Sequence, residues 1–297
     1  MNFTATEAAL THNFSPDPEN YPKMVWSTSP LFRNATDVDY HRLVSYTMFT
    51  LFFAGREYAP KAIINGMNIQ DFLEGHYLGA FKYLAQRIHD AGNLEDSTVI
   101  GWENINEPST GLVGYTDLNI IMSSQQLRKT TCPSGFQAML LGEGIPTTVD
   151  VYNWTQFGPI KTDAKLVDPK GLKAWLPTDY DDTKYGWQRD PGWKLGQCIW
   201  AQHGVWDTNT RKLLRPDYFF YDHKREKVDN DIWLRDHFMP HFRRYSETIR
   251  SVHENAIMFL QPPVMFIPPV LDRASRGERL VFSPHYYDGL TLMLKKW

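Results

Sequence analysis

The apolar positions of this chain fall into a few runs of contrasting period, separated by long polar stretches. Residues 1–36 are rich in Asn, Pro, Ser and Thr without a periodic element, and read as a loop or extended arm. Asp37 and Asp39 then open an apolar-rich segment, Tyr40 to Ala54, closed by Gly55: the pattern of a helix with acids in its first turn and glycine at its end. A second helix is predicted from about Ile69 to Ala91, with Asn68 as its cap and Gly92 as its stop. Ile69, Phe72, Leu73, Tyr77, Phe81, Leu84 and Ile88 recur along it at helical spacing and should face a core. The run Val99-Ile100-Gly101-Trp102-Glu103-Asn104-Ile105 is different in kind. It is short, β-branched and aromatic, and bounded by Ser97-Thr98 and Pro108, which predicts a strand.

From about Ser109 to Leu234 the chain is dense in Gly, Pro, Asp and Trp, with short alternating runs such as Thr148-Val149-Asp150-Val151-Tyr152. This stretch, 109–234, reads as one long insertion between a strand and its helix, carrying a few short strands and turns. The helix that should follow the strand comes late, at about Met239 to Glu254. Two further buried strands are expected, Ala256 to Leu260 ended by Gln261-Pro262-Pro263, and Leu280 to Phe282 ended by Ser283-Pro284. Strand, helix, strand and strand, each stopping at a polar or proline-marked edge, point to a parallel α/β architecture. An eight-fold barrel takes about 250 residues before insertions. With so much of the chain in the insertion, only three strong barrel strands remain, so the expected fold is an incomplete (β/α)8 barrel.

Chemistry concentrates at two of these strand ends. Pro108 stops both ladder pairing and helix continuation, so Glu107 should sit at the carboxyl edge of its strand. In parallel α/β barrels that edge collects catalytic side chains. A carboxyl group there, beside the amide of Asn106, suits one of the two carboxylates that glycoside hydrolysis requires. The second end is Pro284-His285-Tyr286-Tyr287-Asp288-Gly289. His285 and Tyr287, two apart, would point to the same side and could line one pocket with Glu107. An imidazole can donate to a carboxylate or a sugar hydroxyl, and a phenol can hold a neighbouring carboxylate charged.

Composition narrows the function classes. The 297 residues are 42% hydrophobic and 22% charged, an ordinary globular balance, and a net charge of −3 gives no electrostatic reason for a nucleic-acid partner. Aromatic residues make up 14% of the chain, a content that suits sugar rings and lipid tails as well as cores. Only Cys132 and Cys198 occur, far apart, so no disulfide framework is expected. No run of eighteen apolar residues spans a membrane. Met1 to Leu10 lacks the order of a signal peptide, so an intracellular protein, cytoplasmic or vacuolar, is expected. The sequons at Asn2, Asn13, Asn34 and Asn153 then read as chance matches.

Trp102-Glu103-Asn104-Ile105-Asn106-Glu107-Pro108 and Phe282-Ser283-Pro284-His285-Tyr286-Tyr287-Asp288 resemble glycoside hydrolase family 5. The closer resemblance is to the fungal branch related to endoglycoceramidases, whose members cleave glucosylceramide or steryl β-glucosides. Thr4 to Asn13 and Phe49 to Gly55 resemble that branch too. The resemblance implies a retaining β-glycosidase with a glycolipid or sterol-glucoside substrate, no cofactor and no metal, and is compatible with peripheral membrane contact. Glu107 would be the general acid/base, Asn106 would bond the sugar 2-hydroxyl, and His285 and Tyr287 would position the substrate and the second carboxylate. It also implies that the chain holds strands 4 to 6, a partial catalytic domain over 1–297. The family's nucleophile is a glutamate on the strand after the His-x-Tyr strand, with no counterpart before Trp297, so this segment by itself is expected to be inactive. The alternative is a non-catalytic carbohydrate- or lipid-binding remnant.

Other candidates carry less. Glu103 could face inward, paired with an arginine. His237 and His241 have the i, i+4 spacing of metal ligands, but Phe238 replaces the glutamate of a zinc-protease motif and Pro240 intervenes. Gly142-Glu143-Gly144 lacks a phosphate-loop lysine and reads as a turn. Asp179-Tyr180-Asp181-Asp182 fails as a calcium loop because Lys184 stands where glycine is needed. The mixed charges of Asp222 to Asp231 read as a solvated helix or loop. Trp187, Trp193, Trp200 and Trp206 could form an apolar wall for a lipid or sterol aglycone, with Trp193 and Trp206 the pair whose replacement would test it, weighed against simple packing.

Overall fold

In the computed structural model, residues 41–123, 128, 130–155, 157–264, 266–271, 279–285 and 288 are described. Along the chain run α1 (His41–Tyr58), α2 (Ile69–Ala91), β1 (Gly101–Glu103), β2 (Thr130–Cys132), α3 (Gly135–Gly142), β3 (Thr147–Thr155), β4 (Gly158–Val167), α4 (Met239–Arg250), β5 (Ile257–Leu260) and β6 (Leu280–Phe282). The chain divides into two compact units: residues up to Leu73 with Gly111–Val228, and Glu74–Thr110 with Asp229 onward. No helix among the described residues is long and apolar enough to cross a membrane.

In the first unit α1 does not stop at Gly55. Ala54 leaves helical geometry, with φ −139° and ψ 23°, yet the helix resumes as far as Tyr58. The kink is tolerated because the N–H of Arg56 donates to the carboxamide of Gln70, 3.1 Å away, in place of a helical carbonyl. The expected opening acids, Asp37 and Asp39, lie outside the described residues. Gly111 reaches the same helix: a Cβ there would lie 2.4 Å from Thr50 Oγ1, and its φ of +65° suits glycine. That close approach lets Leu112 N–H donate to Thr50 Oγ1 at 2.9 Å.

The stretch read as an insertion holds an antiparallel sheet in the order β2-β3-β4, with a register shift between Val151 and Tyr152. Ser134 caps α3 through a reciprocal bond with Gln137, a capping box. Leu141 of α3 then packs on Val149 and Val167 of the sheet. The largest fully buried side chains of the unit include Trp200, Trp206, Phe52, Phe53 and Phe219.

In the second unit the three expected barrel strands form one parallel sheet in the order β1-β5-β6. β1 covers only 101–103 of the predicted 99–105. Gly101 permits the β1–β5 pairing, because a Cβ there would sit 2.3 Å from the carbonyl oxygen of Ile257. α2 begins in the first unit, where Asn68 Oδ1 accepts from Gln70 N–H at 3.0 Å, and ends in the second, where Gly92 adopts φ +70°, both as the sequence predicts. Of the predicted stripe, Leu84 is 48% exposed and Ala85 is buried instead. Helical structure also begins before α4. Asn230–Trp233, capped by Asp229, and a π-helical turn over Leu234–Phe238 precede it, and α4 ends at Arg250.

Candidate functional site

The carboxyl ends of β1 and β6 bring two of the expected site residues together. Glu107, with its side chain 23% exposed, places Oε1 3.0 Å from Nδ1 of His285. With the carboxylate ionised, that ring nitrogen carries the proton and donates. Glu107 has a backbone φ of +46°, the left-handed region, which a non-glycine residue enters only when its surroundings hold it there. Asn106 is exposed beside it, and Pro108 is buried. Tyr287 lies outside the described residues. Glu103, expected to pair inward with an arginine, is exposed instead, and its Oε1 accepts from the Ser283 hydroxyl at 2.6 Å. Its strand position turns it away from the buried Trp102 and Asn104, and the short polar Ser283 at the end of β6 meets it.

The strand end is held from below by residues whose roles the sequence did not suggest. Tyr245 of α4 donates its hydroxyl to the carbonyl of Glu103 at 2.8 Å, and Tyr77 of α2 donates to the carbonyl of Asn104. The Asn104 carboxamide, buried at 1% exposure, bonds to the main chain of Gln261 just past β5. A polar residue at a buried position inside a strand run was the one available signal. At the other end of β1, Trp102 Nε1 donates to Nδ1 of His253 at 3.2 Å. This fixes the tautomer, so His253 Nε2–H donates to Asp96 at 3.1 Å and holds that carboxyl below its usual range.

The remaining candidates are engaged structurally. His241 Nδ1 meets Glu74 at 2.9 Å, and Arg244 Nη2 meets the same carboxylate at 2.6 Å. Trp206 is 1% exposed and donates to Cys198 Sγ at 3.4 Å; Trp193 is 5% exposed under the guanidinium of Arg189. Both rings are therefore packed within the interior of the first unit. Glu57, Asp222 and His223 bring possible metal-ligand atoms within 4.8 Å of one another. In that group Asp222 Oδ1 accepts the N–H groups of Lys224 and Glu226, and Glu57 Oε1 accepts that of His223, a hydrogen-bonded turn.

Fold and site together define a class: a mixed α/β protein with a carboxylate and an imidazole meeting at the carboxyl ends of parallel strands, an edge where catalytic side chains of many chemistries collect. No family model matches the chain. Among curated proteins it is similar to a glucosylceramidase of Aspergillus fumigatus, 51% identical over 297 residues, covering 99% of this chain and 38% of that protein. It is similar also to the ergosteryl-beta-glucosidase of Saccharomyces cerevisiae, 39% identical over 315 residues, covering 100% of this chain and 39% of that protein. Among solved structures, Cryptococcus neoformans sterylglucosidase 1 with tris matches at a TM-score of 0.83 and 42% identity, over 99% of this chain and 41% of that one. The chain is thus a homologue of fungal proteins named as glucosidases of glucosylceramide and sterol glucosides. It spans about two fifths of their length.

Proposed function

We propose that this chain contributes the acid/base half of a retaining family 5 β-glycosidase that acts on glucosylceramide or a steryl β-glucoside. The observation that carries the reading is the Glu107–His285 contact at two parallel strand ends, with Glu107 in a left-handed backbone. The names of the relatives support the substrate class. In this reading the three parallel strands are strands 4 to 6 of a (β/α)8 barrel. The second carboxylate comes from sequence outside these 297 residues and must stand about 5–5.5 Å from Glu107. Glu107 gives its proton to the glycosidic oxygen as the bond to the sugar breaks and the second carboxylate attacks. The Glu107 carboxylate then takes a proton from the water that releases the sugar. Asn106 bonds the 2-hydroxyl, and His285 and Tyr287 orient the sugar and the second carboxylate.

The test is hydrolysis of a fluorogenic β-glucoside, a steryl glucoside and glucosylceramide by the full polypeptide, beside Glu107→Gln. The variant should lose about 10²-fold or more on the lipid glycosides, the contribution of a general acid. Equal turnover by both proteins would remove Glu107 from the mechanism. A folded full polypeptide that retains sugar or sterol glucosides without turnover would favour the binding-remnant alternative.

A further inference from the structure

β1 leaves its sheet in a particular way. The N–H of Asn104 still donates to the carbonyl of Phe259 at 3.3 Å, so the main chain at 104 faces β5. The next rung of a parallel ladder would join the Asn104 carbonyl to the N–H of Gln261. The side chain makes that rung instead. Asn104 Oδ1 accepts from Gln261 N–H at 2.8 Å, and Nδ2 donates to Gln261 O at 3.4 Å. The carbonyl displaced from the ladder accepts the hydroxyl of Tyr77. Three residues on, Glu107 adopts its φ of +46° and reaches His285.

We propose that Asn104 and Tyr77 are positioning residues for Glu107: they release the main chain one rung early and fix the direction in which residues 105–107 leave. This rests on the reading of Glu107 as the general acid. Without the Tyr77 hydroxyl, the Asn104 carbonyl is buried and unsatisfied unless it competes with its own side chain for Gln261 N–H. That competition draws the chain back into the ladder and turns Glu107 away. The left-handed conformation of Glu107 costs a free energy comparable to one hydrogen bond, so a single bond decides which conformer prevails.

Acid catalysis has a signature that general damage lacks. A leaving group such as dinitrophenol departs without a proton, whereas an alkyl or steryl alcohol needs one. Across such β-glucosides, kcat/KM of the full polypeptide should fall steeply in Glu107→Gln for alkyl and steryl leaving groups and little for dinitrophenyl. Tyr77→Phe and Asn104→Ala should show the same pattern more weakly, about 10-fold against less than about 2-fold, a fraction of a whole general-acid effect. If Glu107→Gln lacks the pattern, the acid assignment itself fails. If Glu107→Gln has it while both other variants lose equally on all leaving groups, the positioning role is overturned. A second readout needs no turnover: the ring-nitrogen NMR shifts of His285 in the full polypeptide. Glu107→Gln should displace them, with Tyr77→Phe and Asn104→Ala moving them in the same direction. Shifts unmoved in both also overturn the inference.

Discussion

Glu74 and His241 show how much a single pair of side chains decides and how little of it is local. The sequence displays His241 only as one of two histidines four apart. Its partner lies 167 residues away, and no spacing rule reaches that far. Burial pushes the Glu74 carboxyl up, but hydrogen bonds from His241 and Arg244 outweigh it and hold the group below its ordinary range. Burial pushes the His241 imidazole down, and Glu74 offsets only part of that. Both groups therefore bind a proton less readily in the folded chain than in the unfolded one. Their contribution is whole above the unfolded histidine value near about 6.5 and is lost as pH falls, His241 first and Glu74 below about 4.3. Glu74→Gln should cost about 3 kcal/mol at neutral pH, the effect of removing one partner of a buried pair. It should also flatten the fall of Tm between pH 5 and 3.5, where the carboxyl no longer titrates. Parallel Tm curves for the two proteins would assign the acid lability elsewhere.

At the scale of elements, the sequence was readable wherever a terminus is set by its own neighbours. Asn68 and Gly92 bound α2, and the prolines after β5 and β6 mark their ends, because caps and turn residues act within a few positions. It misled where a distant group supplies the missing bond. α1 passes Gly55 because Gln70 takes the Arg56 N–H, and β1 ends two residues early because the Asn104 side chain substitutes for its main chain. Gly101 is the opposite case, a strand glycine whose reason is visible only in the pairing. An added methyl would stand 2.3 Å from Ile257 O and 2.8 Å from the Phe259 ring, and backbone cannot yield to it cheaply. Gly101→Ala should destabilise the chain by about 2 kcal/mol, in the range of overpacking, read from the urea midpoint. It should also displace the His285 ring-nitrogen NMR shifts, because His285 follows β6, and β6 pairs with the β5 strand that must give way. A variant as stable as the parent would mean that the close approach relaxes at no cost.

For the whole molecule, the α/β class, the three parallel strands and the late helix were legible, since period and punctuation carry them. The grouping of residues 41–73 with Gly111–Val228 was not, and the reason is again distance. The indole N–H of Trp200 donates to Thr47 Oγ1 at 3.1 Å across 153 positions, inside a core where both residues are fully buried. The two cysteines give a direct way to weigh that contact. Cys132 and Cys198 are both in this unit and both fully buried. Burial pushes the Cys198 thiol up to about 12, although the Trp206 N–H works in the opposite direction. Neither thiol should react with a thiol reagent at pH 8 until the unit opens, so the labelling rate measures the population of the open form. Thr47→Val keeps the shape and removes the acceptor, leaving a buried indole N–H unpaired at a cost of about 1–3 kcal/mol. If that contact joins the two stretches into one cooperative unit, labelling of both cysteines should rise by the same factor, roughly 5- to 150-fold, as each 1.4 kcal/mol is tenfold. A rise confined to Cys198, which directly precedes the helical turn carrying Trp200, would show that the bond secures only its own neighbourhood. The cohesion of the unit would then lie in its apolar packing.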